Sequence, residues 1–137
     1  MLNKIFIASD HGGFFLKEQI FKYLQDMSMN VSDLGTNDSS SVDYPDFSKL
    51  LVDKLKSDKN SFGILLCGTG IGMSIAANRY YHIRAALCTD EEMAMLSRKH
   101  NNANVLVIGG RTTSLNSAKK IIDSFLQTEF ENGRHTE

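Results

Sequence analysis

The segment at residues 62–78, FGILLCGTGIGMSIAAN, constrains the fold more than any other part of the sequence. Its first five residues, 62–66, form a short apolar run of the kind that a fully buried parallel strand needs. Gly68, Gly70 and Gly72 follow and leave the backbone N–H groups of a loop unshielded by side chains. The small residues after them favour a helix packed close to a sheet. A strand, a glycine loop and a helix N-terminus together predict an anion-binding site.

Cys67 stands at the junction between this strand and the glycine loop. Thiols beside helix N-termini often serve as bases or nucleophiles, because free N–H groups and the helix dipole favour the thiolate. The alternative is that Cys67 is a small core residue that ends a buried strand, which is the usual role of an intracellular cysteine. The residue alone does not decide between the two interpretations, so the rest of the chain has to.

Length, charge and cysteine content exclude several classes of protein. A chain of 137 residues predicts one domain, 1–137, with a hydrophobic core of its own. The formal net charge of −1 argues against a nucleic-acid or membrane-surface binder. Cys67 and Cys88 have no CxxC partner, which argues against disulfides or a zinc site and favours the reducing cytoplasm. No signal peptide or membrane-spanning run is expected.

Apolar periodicity alternates between strand and helix along the whole chain. Strands are predicted at 4–9, 30–34, 62–66, 83–88 and 104–108. Three of the five predicted helices show apolar stripes. The stripe of the first is Leu16, Ile20, Leu24 and Met27, that of the second is Phe47, Leu50, Leu51 and Leu55, and that of the fifth is Leu115, Ala118, Ile122 and Phe125. A third helix begins near Ile71, and a fourth opens at Thr89 with an N-cap and an acidic first turn. We therefore predict an α/β fold, a Rossmann-like three-layer α/β/α sandwich around a five-stranded parallel sheet.

Ligands of such sheets bind beyond the carboxyl ends of the strands, where the strand order reverses. If the first and third strands are neighbours there, Asp10 and His11 meet the loop that follows Cys67. The polar segment 36–44 would overhang this crevice and bring Tyr44 to it. A glycine cradle with a thiol, a carboxylate, histidines and arginines predicts proton transfer on a small phosphorylated substrate.

Other phosphate-binding motifs fail on their spacing. No lysine follows the glycines as a P-loop requires, and the dinucleotide fingerprint GxGxxG does not follow the first strand. Met73 and Ser74 stand where a cysteine phosphatase needs a phosphate-binding arginine. No group of histidine, cysteine or acidic residues has metal-ligand spacing, so we expect neither a metal nor a cofactor.

Eight collinear segments, spread over nearly the whole chain, resemble one known family. They are SDHGG (9–13), DYP (43–45), ILLCGTGIG (64–72), AAN (76–78), IRA (83–85), SRKHN (97–101), NVL (104–106) and GRH (133–135). The family is type B ribose-5-phosphate isomerase, with the related galactose-6-phosphate and allose-6-phosphate isomerases. The resemblance implies interconversion of ribose 5-phosphate and ribulose 5-phosphate in the pentose phosphate pathway, without a metal. It also implies a homodimer, sometimes paired into a tetramer.

The resemblance assigns a role to each candidate residue. Some family members use a cysteine as the base and others a glutamate at the position of Met73, so this chain resembles the cysteine branch. Cys67 then moves a proton between C2 and C1 of the open sugar, and His100 opens the sugar ring. The enediolate is stabilised by Thr69 and by the N–H groups of Gly68, Gly70, Ile71 and Gly72. The implied substrate ligands are Asp10, His11, Tyr44, Asn101, Arg111 and Arg134.

The resemblance further implies that two subunits share each site, with Cys67 from one chain and His100, Asn101 and Arg111 from its partner. The family usually has another arginine shortly after Gly-Arg-His, which this sequence lacks. Two alternative functions stay open, a six-carbon aldose phosphate isomerase and a non-catalytic subunit that binds a sugar phosphate or nucleotide. Structural alternatives also stay open for single residues: a turn for Thr69, a strand-end turn for Asp10 and His11, a helix cap for His100, a solvated tail for Arg134, and a role without contact to substrate for Tyr44.

Overall fold

The computed structural model describes residues 4–131 and contains one five-stranded sheet with helices on both faces. Strands and helices alternate in the order β1 (Lys4–Ser9), a short 3₁₀ helix (His11–Gly13), α1 (Phe14–Asp26), β2 (Val31–Asp33), α2 (Tyr44–Ser57), β3 (Ser61–Cys67), α3 (Ile71–Asn78), β4 (Ala85–Leu87), α4 (Glu91–Lys99), β5 (Val105–Gly109) and α5 (Leu115–Gln127). The predicted three-layer α/β fold is confirmed.

All neighbouring strands are parallel, and their order across the sheet is β2–β1–β3–β5–β4. The chain runs from β1 outward to β2 and then returns past β1 to β3. The strand order therefore reverses between β1 and β3, which pair from Lys4 with Ser61 to Ser9 with Leu66. In parallel sheets this reversal opens a crevice at the carboxyl ends of the two strands.

The core consists of two apolar layers, one on each face of the sheet. Ile64 and Leu66 of β3 pack toward α1 and α5, whereas Leu65 and Cys67 pack toward α2 and α3. Residues 64–67 are at most 5% exposed. A strand buried on both faces explains why residues 62–66 read as a continuous apolar run.

Two residues assigned to apolar stripes lie outside the core. Met27 is 44% exposed, because α1 ends at Asp26 and the chain turns away there. Leu50 is 48% exposed, because the buried face of α2 is formed by Ser48, Leu51, Val52 and Leu55. Their spacing of three and four residues places Leu50 on the opposite side of the helix.

The ends of three elements also differ from the prediction. The edge strands β2 and β4 have three residues each, shorter than the predicted 30–34 and 83–88. Short edge strands are usual, because a long unpaired edge invites association with other chains. The N-cap of α4 is Asp90, whose Oδ1 accepts a hydrogen bond from the Met93 N–H at 2.8 Å, rather than Thr89.

Candidate active site

Cys67 ends β3 at the crevice and is 5% exposed. Its Sγ accepts a hydrogen bond from the backbone N–H of Gly70 at 3.2 Å. Gly70 adopts a left-handed conformation with φ +84° as the N-cap of α3, and a Cβ there would lie 2.5 Å from Leu87 Cδ1. Only glycine fits this position without strain. The strand, the glycine loop and the helix N-terminus thus meet at the sulfur atom, as the sequence predicts.

The loop after β5 binds the loop after β3. The Gly110 N–H donates to the Cys67 carbonyl at 2.7 Å, and the Arg111 N–H donates to the Gly68 carbonyl at 2.9 Å. The Arg111 guanidinium extends over Gly68, with Nη1 3.3 Å from the place of a Cβ there. Thr69 is exposed, and its Oγ1 accepts from the Ile71 N–H at 3.3 Å. The loop therefore presents N–H groups, a hydroxyl and a guanidinium at one rim.

Asp10 shapes the loop on the opposite side of the crevice. Its N–H donates to the Leu66 carbonyl at 3.2 Å, which continues the pairing of β1 with β3. Its Oδ1 accepts from the N–H groups of Gly12 at 2.8 Å and Gly13 at 3.3 Å. A Cβ on Gly12 would lie 2.8 Å from the Gly68 nitrogen, so the two loops touch. The predicted meeting of the Asp10 loop with the Cys67 loop is confirmed.

His11 and Tyr44 hold the polar segment 36–44 against the crevice. The Nδ1 atom of His11 lies 3.1 Å from both the N–H and the carbonyl oxygen of Val42. Tyr44 begins α2, and its Cζ lies 2.9 Å from the place of a Cβ on Gly72. The tyrosine ring therefore covers the glycine loop. This contact confirms that the polar segment overhangs the loop.

His100 and Asn101 lie at the other edge of the sheet. His100 is the C-cap of α4, and its N–H donates to the Leu96 carbonyl at 2.9 Å. Both residues precede β5, whereas Cys67 pairs with Gly109 at the end of that strand. The five paired positions of β3 and β5 separate the two edges by about 13 Å. One chain therefore does not bring His100 and Cys67 together.

One part of the shared-site prediction is wrong. Arg111 was assigned to the partner chain, but it follows β5 and lies beside Cys67 of its own chain. The reason is topological, because β3 and β5 are parallel neighbours and their carboxyl ends share one edge. Arg134 lies outside the described residues.

The sequence patterns assign no role to Arg84, which contacts the loop that follows α4. The Arg84 Nε donates to the Asn101 carbonyl at 2.6 Å, and its N–H donates to Asn104 Oδ1 at 2.8 Å. Asn101, Arg84 and Ser97 border a cavity of about 370 Å³ at this edge. The only signal in the sequence is the IRA segment at 83–85, which belongs to the family resemblance.

The second cysteine has a different environment. Burial raises the pKa of the Cys88 thiol to about 11; the Ser97 hydrogen bond opposes this shift and the charge of Asp90 adds to it. Cys88 is therefore protonated at neutral pH and is not a base. Burial also lowers the pKa of the Arg98 guanidinium, against the attraction of Glu129.

Residues 4–131 contain neither a candidate metal site nor a candidate membrane-spanning helix. No three histidine, cysteine or acidic side chains of this part gather so that they could hold a metal ion. No helix within it combines the length and the apolar character needed to cross a bilayer.

Comparisons with known proteins identify the family. The sequence model described as Ribose/Galactose Isomerase matches residues 5–137. Ribose-5-phosphate isomerase B of Escherichia coli (strain K12) is 42% identical over 134 residues, which cover 98% of this chain and 90% of that protein. The chain belongs to the ribose/galactose isomerase family and is an isomerase, which confirms the predicted resemblance.

Solved structures agree with this assignment. The crystal structure of a ribose 5-phosphate isomerase from Thermotoga maritima gives a TM-score of 0.96 at 54% identity, and covers 98% of this chain and 92% of that one. Ribose-5-phosphate isomerase B from Mycoplasma genitalium, solved with bound ribulose-5-phosphate, gives a TM-score of 0.93 at 46% identity, with coverages of 97% and 89%.

Proposed function

We propose that this protein interconverts ribose 5-phosphate and ribulose 5-phosphate, with Cys67 as the base. The Escherichia coli relative is named for this substrate, and the Mycoplasma genitalium relative was solved with the product ketose. The contact between Cys67 Sγ and the Gly70 N–H at 3.2 Å carries the proposal for this chain. This contact supports the proposal, because a proton acceptor next to backbone N–H groups is the arrangement that an enediolate intermediate needs.

The reaction transfers one proton between neighbouring carbon atoms. The Cys67 thiolate removes the proton from C2 of the open aldose, and the electron pair forms a C1–C2 double bond. The charge that develops on the former carbonyl oxygen is stabilised by the N–H groups of the glycine loop and by the Thr69 hydroxyl. A proton moves from O2 to O1, and the thiol returns its proton to C1 to give the ketose. Atoms and charge balance without a redox partner.

The two rims of the crevice hold the rest of the substrate. Arg111 is exposed beside Gly68, where its planar guanidinium can bind two phosphate oxygens at once. Asp10 and His11 orient hydroxyl groups and the phosphate, and Tyr44 covers the bound sugar. Arg134 is proposed as a second phosphate ligand on the resemblance alone.

The proposed site needs a second copy of the chain. His100, the ring opener, and Asn101 lie at the far edge of their own sheet, so the partner supplies them to the crevice that holds Cys67. An exposed apolar surface supports association. Ile71 and Ile75 lie four residues apart on α3 and are 55% and 63% exposed, and Tyr81 follows fully exposed. A homodimer of this single domain in the cytoplasm is the proposed form, and pairing into a tetramer stays a prediction.

Replacing Cys67 tests the base. Cys67→Ala should lower turnover about 10²–10⁴-fold, since a positioned proton acceptor contributes this much, and should leave the unfolding curve close to that of the wild type. Iodoacetamide should inactivate the wild type, and saturating substrate should protect it. Cys88→Ala is the matched control, because it removes the other thiol and should retain both activity and inactivation. Full activity of Cys67→Ala would contradict the proposal.

A substrate panel separates the alternative functions. Turnover is measured with ribose 5-phosphate, allose 6-phosphate and galactose 6-phosphate. We expect the highest kcat/KM with ribose 5-phosphate. A preference for a six-carbon substrate would make the protein a six-carbon aldose phosphate isomerase of the same family. No turnover with any of the three would favour a non-catalytic binding subunit.

A further inference from the structure

Arg98 is a buried arginine for which the proposed reaction has no use. It is 8% exposed, and its Cζ lies 4.8 Å from the ring centre of Phe62 and 5.8 Å from that of Phe125. A guanidinium enclosed in this way is tolerated only where its N–H groups have acceptors. The positions of those acceptors indicate what the residue does.

The acceptors of Arg98 belong to two separate stretches of chain. Its Nη1 donates to the Ala103 carbonyl at 2.5 Å and to Asn102 Oδ1 at 3.2 Å. Its Nε donates to the Thr128 carbonyl at 3.1 Å, just after α5. One planar side chain therefore joins the loop that follows α4 to the segment that follows α5.

The loop after α4 is shaped around these contacts. Asn102 has φ +49°, a left-handed conformation that ends a helix, and its N–H donates to the Arg98 carbonyl at 3.3 Å. The Ala103 N–H donates to the Ser97 carbonyl at 3.0 Å. His100 and Asn101 therefore lie between α4 and Asn102, and both the side chain and the main chain of Arg98 bind Asn102.

The segment after α5 is bound to the same place. The Glu131 N–H donates to the Lys99 carbonyl at 2.9 Å, and Lys99 Nζ lies 3.5 Å from Glu131 Oε2. Thr128 is bound by Arg98, as above. The chain that leads toward Arg134 in the sequence is therefore attached to the two residues that immediately precede His100.

We propose that Arg98 is a positioning residue, which sets the place of His100 and Asn101 and joins their loop to the C-terminal segment. The proposal rests on the proposed function, because it requires that His100 acts on the sugar ring. Lysine does not replace arginine in this role, since a single ammonium group lacks the planar fork that reaches three acceptors in two segments.

Two assays on Arg98→Lys test the proposal. Ribose 5-phosphate has to be opened before proton transfer, whereas ribulose 5-phosphate is already open, because its 5-hydroxyl carries the phosphate. Exchange of the C1 proton of ribulose 5-phosphate in D₂O, followed by NMR, therefore requires Cys67 but no ring opening. We expect Arg98→Lys to lower kcat for ribose 5-phosphate about 10- to 100-fold. Exchange at saturating ribulose 5-phosphate should fall less than about threefold.

The controls separate a positioning role from a structural one. Tyr23→Phe removes a hydrogen bond between α1 and α5 that does not involve the loop after α4, and should lower stability without changing either rate. Asn102→Gly keeps the left-handed backbone but removes one acceptor of Arg98, and should show the same selective loss to a smaller degree. If Arg98→Lys does not fold, Asn102→Gly carries the test.

A selective loss of ribose 5-phosphate turnover supports the proposal. The proposal is wrong if Arg98→Lys loses turnover and exchange equally. It is also wrong if Arg98→Lys keeps both rates unchanged, as is expected of Tyr23→Phe. If His100→Ala turns over ribose 5-phosphate normally, or Cys67→Ala still exchanges the C1 proton, the proposed function itself fails, whatever Arg98→Lys does.

Discussion

Gly70 connects three requirements of the site at a single residue. Its N–H donates to Cys67 Sγ, its φ of +84° turns the chain into α3, and its α-carbon lies against β4 and β5. A side chain there would lie 2.5 Å from Leu87 Cδ1 and 3.2 Å from the Ile108 carbonyl carbon. Both the left-handed backbone and the close contacts exclude other residues.

Gly70→Ala should therefore destabilise the protein by about 1–3 kcal/mol from the strained backbone, and by more from the contacts. Gly68→Ala is the matched control in the same loop. It has no positive φ, and its nearest neighbour is the flexible end of Arg111 at 3.3 Å. Urea unfolding compares the free energies of the two variants. Equal losses would show that the conformation of Gly70 does not matter.

The contact between Tyr23 and Asp123 predicts that the stability of the fold depends on pH. The Tyr23 hydroxyl donates to both carboxylate oxygens of Asp123, at 2.7 and 2.8 Å. Burial, followed by the hydrogen bond and charge of Asp123, raises the pKa of Tyr23 from 10.0 to about 12. Because the folded pKa is above the unfolded one, the contact stabilises the fold below about pH 10. Its contribution is lost as the pH rises from 10 toward 12.

The test of this contact compares the wild type with Tyr23→Phe by thermal unfolding between pH 7 and pH 11. The difference in Tm should stay constant up to about pH 10 and shrink above it. A difference that stays constant through pH 11 would mean that the hydroxyl does not titrate as described.

At the residue scale, the sequence predicts which residues meet at the glycine loop better than it predicts which side chains are buried. Cys67 and the glycines were assigned to one site because their spacing has a backbone meaning that holds in any parallel sheet. Nothing in the sequence indicates that Arg98 and Lys17 are buried, because charged residues are almost never buried without partners. Their partners come from elements distant in sequence, and periodicity contains no information about such pairs.

Lys17 shows how one pair of elements supports the site. The side chain is fully buried in α1, and its Nζ lies 2.6 Å from Asp33 Oδ2 and 2.7 Å from Glu18 Oε1. Asp33 Oδ1 also accepts from the Gly35 N–H at 2.8 Å, and the Gly35 carbonyl accepts from the Ser9 N–H at 2.7 Å. The Lys17–Asp33 pair is therefore linked, through Gly35, to the start of the polar segment 36–44 that leads to Tyr44.

Lys17→Met should destabilise the fold by about 3 kcal/mol, because it leaves Asp33 without its buried partner. The loss should be at the low end for a buried pair, since the Asp33 side chain is 21% exposed. Glu18→Gln is the control, because its side chain is 49% exposed, and it should cost less than about 1 kcal/mol. Denaturant unfolding measures both. Similar losses for the two variants would contradict the central role of Asp33.

At the element scale, the order of strands and helices follows from the sequence, but their ends do not. Leu50 was placed on the buried face of α2 because it is apolar, yet the buried stripe includes Ser48 instead. Sheet neighbours decide which face of a helix is buried, and these are fixed only in the folded chain.

At the scale of the whole molecule, the parallel sheet separates the proposed groups into two sets. The carboxyl edge holds Cys67, the glycine loop and Arg111, whereas the amino edge holds His100 and Asn101. Residues that directly follow a strand lie at the first edge, and residues that directly follow one of the five α-helices lie at the second. A reaction that uses both sets therefore requires two chains.

This arrangement predicts complementation between two inactive variants. Cys67→Ala and His100→Ala are mixed, dissociated and allowed to reassociate. In a heterodimer with shared sites, one site combines the intact Cys67 of one chain with the intact His100 of the other. Random pairing makes half of the dimers mixed, each with one intact site of two, so roughly a quarter of wild-type activity should return. Turnover of ribose 5-phosphate is measured on the reassociated mixture, after mass spectrometry has verified that it contains heterodimers. If Cys67 and His100 act within one chain, no combination contains an intact site, and inactive heterodimers would rule out the shared site.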